Sequence, residues 1–194
     1  MSNNKITEIP TLSQLEAELK REKTNRRYHS LVRSTVYSLI TVAAVAVLVA
    51  TLWMPVLKIY GSSMTPTLVN GDIVISVKST EFKPGDVIAF YYNNNVLVKR
   101  VIAGPADWVD IDIDGNVSVN GRLLDEPYVK ENSRGYCDIS LPYQVPESRI
   151  FVMGDHRDTS IDSRSLSVGC VADEYIVGKL VFCIWPLSNF GFIE

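Results

Sequence analysis

The sequence predicts a mainly β protein: an antiparallel, multi-strand β domain that is preceded by one N-terminal transmembrane helix. Residues 36–56 form an uncharged apolar run, and a helix needs roughly 20 such residues to cross a bilayer. From residue 58 onward, short apolar runs alternate with turn-forming residues, and no long amphipathic helix pattern follows. Roughly 137 residues lie beyond the apolar run, which is enough for one compact domain with its own core.

Three parts of the chain are predicted: a cytoplasmic basic tail (1–35), a transmembrane anchor (36–57) and an extracytoplasmic β domain (58–194). The tail carries a helix-start signal, Thr11-Leu12-Ser13-Gln14. It holds seven basic and four acidic residues, whereas only Lys58 lies close behind the apolar run. Positive charge beside a span favours the cytoplasm, so we expect a single-pass protein of the cell membrane with its N-terminus inside. A cleaved signal peptide is the alternative, but the apolar run is too long and begins too late for one.

Charge is distributed unevenly between the tail and the rest of the chain. The tail has a net charge of +3 and the remaining residues a net charge of −6, which together give the −3 of the whole chain. An acidic outer domain repels nucleic acid, so no nucleic-acid partner is expected. The lipid bilayer is the expected partner of the anchor.

The β domain is predicted from a series of short apolar runs that are separated by turn signals. The runs are 72–77, 86–91, 96–103, 108–113, 117–119, 150–153 and 175–185. Apolar and polar residues alternate on both sides of Asp114-Gly115-Asn116, which is typical of a hairpin with one face in water. Three cysteines lie in this domain. Cys183 lies in a strand-like run, whereas Cys137 and Cys170 lie in turn-rich sequence, and the sequence does not decide whether these two form a disulfide.

Ser63 is the first candidate for chemistry. It lies in the small-residue loop Gly61-Ser62-Ser63-Met64, and Pro66 opposes a regular strand or helix there. The result is an exposed hydroxyl on a stiff turn. A loop serine alone is a weak sign of catalysis, because loops are generally rich in serine and glycine.

Lys99 strengthens that interpretation. It lies in the apolar run 96–103, where the two-residue period of a strand puts Lys99 and Arg100 on opposite faces, so one of the two cations must meet apolar neighbours. Burial disfavours the charged amine, so a lysine there can lose its proton near neutral pH and act as a general base. His29 precedes the span and His156 stands in an acidic loop, so neither is placed for that task. The alternative is an edge-strand lysine whose amine stays in water.

Four blocks of the sequence, in this order, resemble the bacterial type I signal peptidases of the Gram-positive kind. They are residues 61–68 (GSSMTPTL), 71–74 (GDIV), 98–105 (VKRVIAGP) and 154–164 (GDHRDTSIDSR). The resemblance covers about residues 55–180. It implies a β fold of the signal peptidase type and a membrane-bound Ser/Lys endopeptidase. Such an enzyme removes N-terminal signal peptides from exported pre-proteins after small residues, as in Ala-x-Ala, near the secretion translocon. It uses no cofactor, and no His/Cys/Asp cluster in the sequence has the spacing of metal ligands.

The resemblance also implies roles for individual residues. Ser63 matches the nucleophile, whose backbone N–H faces the oxyanion, and Lys99 matches the base that takes its proton. Ser160 matches the hydroxyl that orients the lysine amine. Asp162 and Arg164 match a carboxylate and a guanidinium that pair and hold their loop against the site.

The chain departs from the family pattern at three positions. Gly61 stands where many members have a serine that supplies a second oxyanion donor, so a different donor is required. Ala106 replaces the usual glycine of Pro-Gly-Asp, and a left-handed backbone there would be strained by its methyl group. His156 stands where asparagine is often found.

Shallow apolar pockets near the lipid surface would suit small residues before the cut. Candidates to line them are Ile59, Tyr60, Met64, Val87, Ile88, Val98 and Val101. Ordinary core packing is the alternative for each of these side chains.

Other classes of protein fit the sequence less well. A self-cleaving repressor-like protease needs a DNA-reading module, and residues 1–35 are too short for one. A sortase needs cysteine and histidine partnered with an arginine, and no arginine follows Cys170. Eukaryotic and archaeal signal peptidases have histidine in place of the lysine. A membrane-anchored extracellular β module that binds a partner without catalysis is the non-enzymatic alternative.

Overall fold

A computed structural model describes residues 11–193 of the chain, apart from the side chains of residues 50, 52 and 53. The described chain divides into two compact units, one that ends at Val49 and one that begins at Ala50. The first unit is helical and the second consists mainly of β strands.

One long helix, α1 (Leu12–Trp53), accounts for the first unit. At its start, the Thr11 N–H donates to Gln14 Oε1 over 2.9 Å, which is one of the two hydrogen bonds of the predicted capping box. Within the apolar stretch, the Thr41 hydroxyl donates to the Tyr37 carbonyl over 2.8 Å, so its polar group needs no water. Among the described residues, α1 is the one helix long and apolar enough to cross a membrane.

The second unit contains twelve short strands among its described residues. They are β1 (Val56–Lys58), β2 (Ile73–Val77), β3 (Val87–Tyr92), β4 (Asn95–Ala103), β5 (Trp108–Ile111), β6 (Val117–Val119), β7 (Arg122–Leu123), β8 (Tyr143–Gln144), β9 (Arg149–Met153), β10 (Val171–Ala172), β11 (Ile176–Trp185) and β12 (Gly191–Phe192). Short 3-10 helices follow β10 at Asp173–Tyr175 and β11 at Leu187–Asn189.

The strands form two sheets in which every described pairing is antiparallel. The larger sheet has the order β1-β2-β11-β3-β4-β9-β10, with β12 paired to β11, and the smaller has the order β7-β6-β5-β8. This architecture confirms the predicted fold class. Val56 and Leu57, which the sequence prediction assigned to the anchor, belong to β1; the division into cytoplasmic, membrane and outer parts stays a prediction.

Two hairpins follow the turn signals in the sequence. Asn93 and Asn94 between β3 and β4 have φ of 44° and 62°, and Asn120 and Gly121 between β6 and β7 have φ of 53° and 75°. Two consecutive residues with positive φ match the twist of the flanking strands, and asparagine and glycine adopt this conformation most readily. The first of these hairpins fixes the register of β4, the strand that carries Lys99.

Three groups of buried apolar side chains stabilise the second unit. One lies mainly between the smaller sheet and β9, and includes Val109, Val117 and Phe151. A second packs Met64 and Leu68, from the loop after β1, against strand residues of the larger sheet. A third contains Ile88, Phe90, Val101, Ile150, Val152 and Val171. All three cysteines are free thiols, and Cys183 is buried in a strand, as its sequence context predicted.

Candidate active site

The Ser63 loop connects β1 to β2 and is held at both its stem and its centre. The Ile59 N–H donates to the Asp72 carbonyl over 2.8 Å, and the Gly71 N–H donates to the Ile59 carbonyl over 2.9 Å. Met64 and Leu68 are buried in the apolar core beneath the loop. Because the residue after Ser63 is anchored in the core, the hydroxyl stands on a firmly positioned backbone.

Lys99 reaches this hydroxyl from the middle of β4. Its Nζ atom lies 2.7 Å from Ser63 Oγ, although the two residues are separated by 36 positions in the sequence. Lys99 is only 3% exposed, so its amine is largely shielded from bulk water, whereas Ser63 is half-buried. The structure therefore brings together the two residues on which the catalytic prediction depends.

Burial governs the protonation of Lys99. Desolvation lowers the pKa of its amine from 10.5 to about 8, and the Asp162 carboxylate opposes part of this shift. A substantial fraction of the amine is therefore neutral near pH 8. A neutral amine has a lone pair that can accept the hydroxyl proton, which is what a general base requires.

The segment after β9 supports the pair from behind. Gly154 has no side chain, and a Cβ atom there would lie 2.5 Å from the Ser63 carbonyl oxygen and would also overlap Ser160 Oγ. Only glycine allows the two chain segments to approach this closely. The Ser160 hydroxyl donates to Asp162 Oδ2 over 2.6 Å, so its lone pairs, not its proton, are what it can offer to the lysine amine.

Asp162 and Arg164 form a fully buried, two-pronged ion pair. Arg164 Nε donates to Asp162 Oδ1, and Arg164 Nη2 donates to Asp162 Oδ2, both over 2.9 Å. The same guanidinium donates to the backbone carbonyls of Arg134 and Arg157, both over 2.8 Å. Asp162 also accepts from the Gly154 N–H over 2.9 Å, so the pair links three segments of the chain around Lys99.

Arg100 is a residue whose role the sequence interpretation missed. Strand alternation required only one buried cation, yet Lys99 and Arg100 are both buried. Arg100 Nη2 donates to Asp155 Oδ2 over 2.7 Å, and Thr67, from the Ser63 loop, donates to the same carboxylate. The guanidinium also lies 3.9 Å from the Tyr128 ring centroid. The signal was present in the sequence as an arginine next to the lysine in an apolar strand.

Arg157 and Glu126 form a third buried ion pair. Arg157 donates to both carboxylate oxygens of Glu126, and its Nε donates to the Gly154 carbonyl over 3.2 Å. Tyr128 donates to Glu126 as well, and burial raises the pKa of the Tyr128 hydroxyl above its usual value. Glu126 thereby holds Arg157, and the Tyr128 ring contacts Arg100, the partner of Asp155.

A cleft of about 550 Å³ opens beside Ser63 and Lys99. Four of the seven predicted pocket residues line it: Ile59, Tyr60, Met64 and Val98. The cleft is also lined by residues that were not named as pocket candidates: Leu57, Lys58, Gly61, Asn94, Asn95, Val96 and Leu97. Its walls are thus the β1 segment on one side and the β3–β4 hairpin on the other.

The other three pocket candidates do not line this cleft. Ile88 and Val101 are buried with Phe90 and Val152 in the core, and Val87 is buried in the cluster beneath the Ser63 loop. Their apolar character follows from core packing, which was the stated alternative. Apolar strand residues on either face look alike in a sequence when both faces of the sheet are covered.

No metal site accompanies this arrangement in the part of the chain that the structure describes, since no three His, Cys, Asp or Glu side chains there are grouped to hold an ion. His156 lies near Ser63 through its backbone, and its ring contacts Thr65. Ala106 has a φ of 65°, so the backbone there is left-handed despite the methyl group, and the local adjustment expected from the sequence is not seen.

Comparison with known proteins decides the family. The family model for signal peptidases, peptidase S26, matches residues 32–185. The chain belongs to the bacterial type I signal peptidases. Membership makes it a serine endopeptidase, which excludes the repressor-like, sortase and non-catalytic alternatives. The matched residues include both Ser63 and Lys99.

Individual signal peptidases show the extent of this similarity. The chain is 36% identical over 154 residues to signal peptidase IB of Staphylococcus aureus (strain MRSA252), which covers 69% of this chain and 79% of that protein. It is 32% identical over 181 residues to signal peptidase I of Bacillus licheniformis, which covers 87% and 96%. A crystal structure of a signal peptidase I from Enterococcus faecalis V583 is 28% identical, covers 52% of this chain and 97% of that one, and has a TM-score of 0.44.

Proposed function

We propose that this signal peptidase cleaves exported pre-proteins after small residues, as in Ala-x-Ala, with Ser63 as the nucleophile and Lys99 as the general base. The observation that carries the proposal is the 2.7 Å contact between a buried amine and a loop hydroxyl. The apolar cleft beside them suits the small apolar side chains before the cut.

The reaction begins with neutral Lys99, which takes the proton of Ser63 while Oγ forms a bond to the scissile carbonyl carbon. The Ser63 N–H faces the resulting oxyanion; within residues 11–193 it donates to no other group. The Lys99 ammonium then gives its proton to the amide nitrogen as the C–N bond breaks, which releases the mature protein. Water, activated by the again neutral amine, hydrolyses the acyl ester and frees Ser63.

Three other residues support Lys99 in this proposal. Ser160 would orient the amine as a hydrogen-bond acceptor, because its own proton is committed to Asp162. Asp162 and Arg164 hold the segment in place as a buried pair. Their opposite charges act on Lys99 in opposite directions, so the pair leaves burial as the dominant influence on the lysine pKa.

The proposed location is the outer surface of the cell membrane, close to the translocon that delivers the substrates. Helix α1 contains the apolar stretch, and the basic residues before it favour a cytoplasmic N-terminus. A membrane-impermeant maleimide added to spheroplasts should label Asn93→Cys, at the tip of the β3–β4 hairpin, and not Ser13→Cys. Wild-type protein gives the background from the native thiols, and labelling of Ser13→Cys alone would reverse the proposed orientation.

Cleavage of a purified pre-protein tests the catalytic roles. Ser63→Ala and Lys99→Arg should both abolish cleavage in detergent, the second because an arginine stays protonated and cannot accept the proton. Two matched controls should cleave at the wild-type rate: Ser118→Ala, in β6 of the smaller sheet, and Lys179→Arg, whose amine pairs with Asp86 on the surface. Cleavage by folded Ser63→Ala would refute the assignment of the nucleophile.

A further inference from the structure

The peptide bond that carries the Ser63 N–H is held at its other end by Thr65. The Thr65 hydroxyl donates to the Ser62 carbonyl oxygen over 2.8 Å, and the Thr65 N–H donates to the same oxygen over 3.1 Å. The Ser62–Ser63 peptide is trans, so its C=O and N–H point in opposite directions. Because the peptide is planar, fixing the Ser62 oxygen also fixes the direction of the Ser63 N–H.

His156 completes this contact. The single proton of the Thr65 hydroxyl goes to Ser62, so the hydroxyl can only accept from His156 Nδ1, which lies 3.2 Å away. This direction of the contact requires a hydrogen on Nδ1 of the ring. The His156 N–H also donates to the Ser63 carbonyl over 3.1 Å, so one residue acts on the peptide groups on both sides of Ser63.

The position of His156 is itself fixed by its neighbours. Asp155 is paired with buried Arg100 and accepts from Thr67, which ties this part of the segment to the Ser63 loop. The Ser160 N–H donates to the His156 carbonyl over 3.1 Å. The imidazole thus approaches Thr65 from a rigid segment and not from a mobile loop.

We infer that His156 and Thr65 are positioning residues that aim and polarise the Ser63 N–H toward the oxyanion, which rests on the function proposed above. Each hydrogen bond in the series from His156 to Thr65 to Ser62 strengthens the next, and a polarised peptide is a better donor at its N–H. The oxyanion exists only after Ser63 attacks, so this relay stabilises the transition state and contributes little to substrate binding.

Isosteric substitutions test the relay. Thr65→Val removes the hydroxyl but keeps the shape, and His156→Leu removes the Nδ1 donor. Each should lower kcat about tenfold, less than the roughly 100-fold or greater loss when an oxyanion donor is removed, and leave KM within about twofold. Thr65→Ser and His156→Asn keep a hydroxyl and an N–H donor, and should retain most of kcat. Because the two residues act in series, the double variant Thr65→Val/His156→Leu should be no slower than the slower single variant.

The pH profile separates the relay from a general loosening of the site. The relay does not touch Lys99, so the acid limb of kcat/KM should stay near pH 8 in every variant that folds. If Thr65→Val does not fold, judged by its thermal unfolding, the comparison of His156→Leu with His156→Asn carries the same test. Wild-type kcat in His156→Leu, a loss confined to KM, or a displaced acid limb would each overturn the inference.

The same experiment distinguishes failure of the relay from failure of the proposed function. If wild-type enzyme leaves the pre-protein intact, or Ser63→Ala cleaves it, the function itself is refuted. If wild type cleaves, Ser63→Ala does not, and the relay variants match wild type, only the relay is refuted.

Discussion

Raising the pH from 6 to 8 should increase kcat/KM about 50-fold, because it converts Lys99 from about 1% to about 50% neutral. The increase should then level off, with less than about a twofold gain from pH 8 to pH 10. The magnitude depends on burial: at pH 7, a pKa of about 8 gives roughly 300 times more neutral amine than the ordinary value of 10.5. In the proposed mechanism, this factor is the catalytic advantage of placing the lysine in an apolar strand.

The assay is cleavage of a peptide that spans an Ala-x-Ala site and lacks titratable groups near the cut, at substrate concentrations far below KM. Lys58, the other lysine that lines the cleft, provides the control: Lys58→Met should keep an acid limb near pH 8. If the acid limb disappears in Lys58→Met, the titrating amine is that of Lys58 and not that of Lys99. A profile that is flat between pH 6 and 10, with chemistry shown to limit the rate, would refute the neutral-lysine mechanism.

Three further predictions concern stability and packing. Lys99→Met should be inactive but more stable than the wild type by about 3 kcal/mol below pH 8. The unfolded chain keeps the lysine proton up to pH 10.5 and the folded chain only to about 8, so the stability of the wild type rises between these pH values and its deficit relative to Lys99→Met shrinks. Thermal unfolding of both proteins as a function of pH measures this. Gly154→Ala should lose most cleavage activity, whereas Gly191→Ala, with open space around it, should not. Ala106→Gly should stabilise the fold by roughly 0.5–1 kcal/mol in denaturant titrations, because it relieves a left-handed alanine, whereas Ala172→Gly, at φ of −80°, should destabilise it.

The long strands could be predicted from the sequence because their apolar runs and turn residues agree. All seven predicted runs correspond to strands, among them β2, β3, β4, β9 and β11, and no boundary differs by more than two residues. The two-residue strands β7, β8, β10 and β12 were missed because so short a segment has no measurable period. β1 was hidden because its residues continue the apolar run of the anchor.

The candidate site was predictable only where a residue's type and its local sequence indicated its role. Ser63 and Lys99 were selected by residue type and context, but only the folded chain shows their 2.7 Å contact. Alternation in β4 identified two faces without indicating that both are buried, so Arg100 was missed and Val101 was assigned to the cleft. The contact of His156 with Thr65 joins segments 91 residues apart and has no local signature.

The buried arginines make activity depend on the order in which the chain is synthesised. Arg157 and Arg164 hold the segment behind Lys99, and they lie some 60 residues nearer the C-terminus than the lysine itself. A ribosome completes Ser63 and Lys99 long before it reaches the two arginines, so the growing polypeptide carries the proposed nucleophile and base without their support. The protease should therefore be inactive until Arg157 and Arg164 have been synthesised, and a chain that stops before Gly154 should cleave nothing.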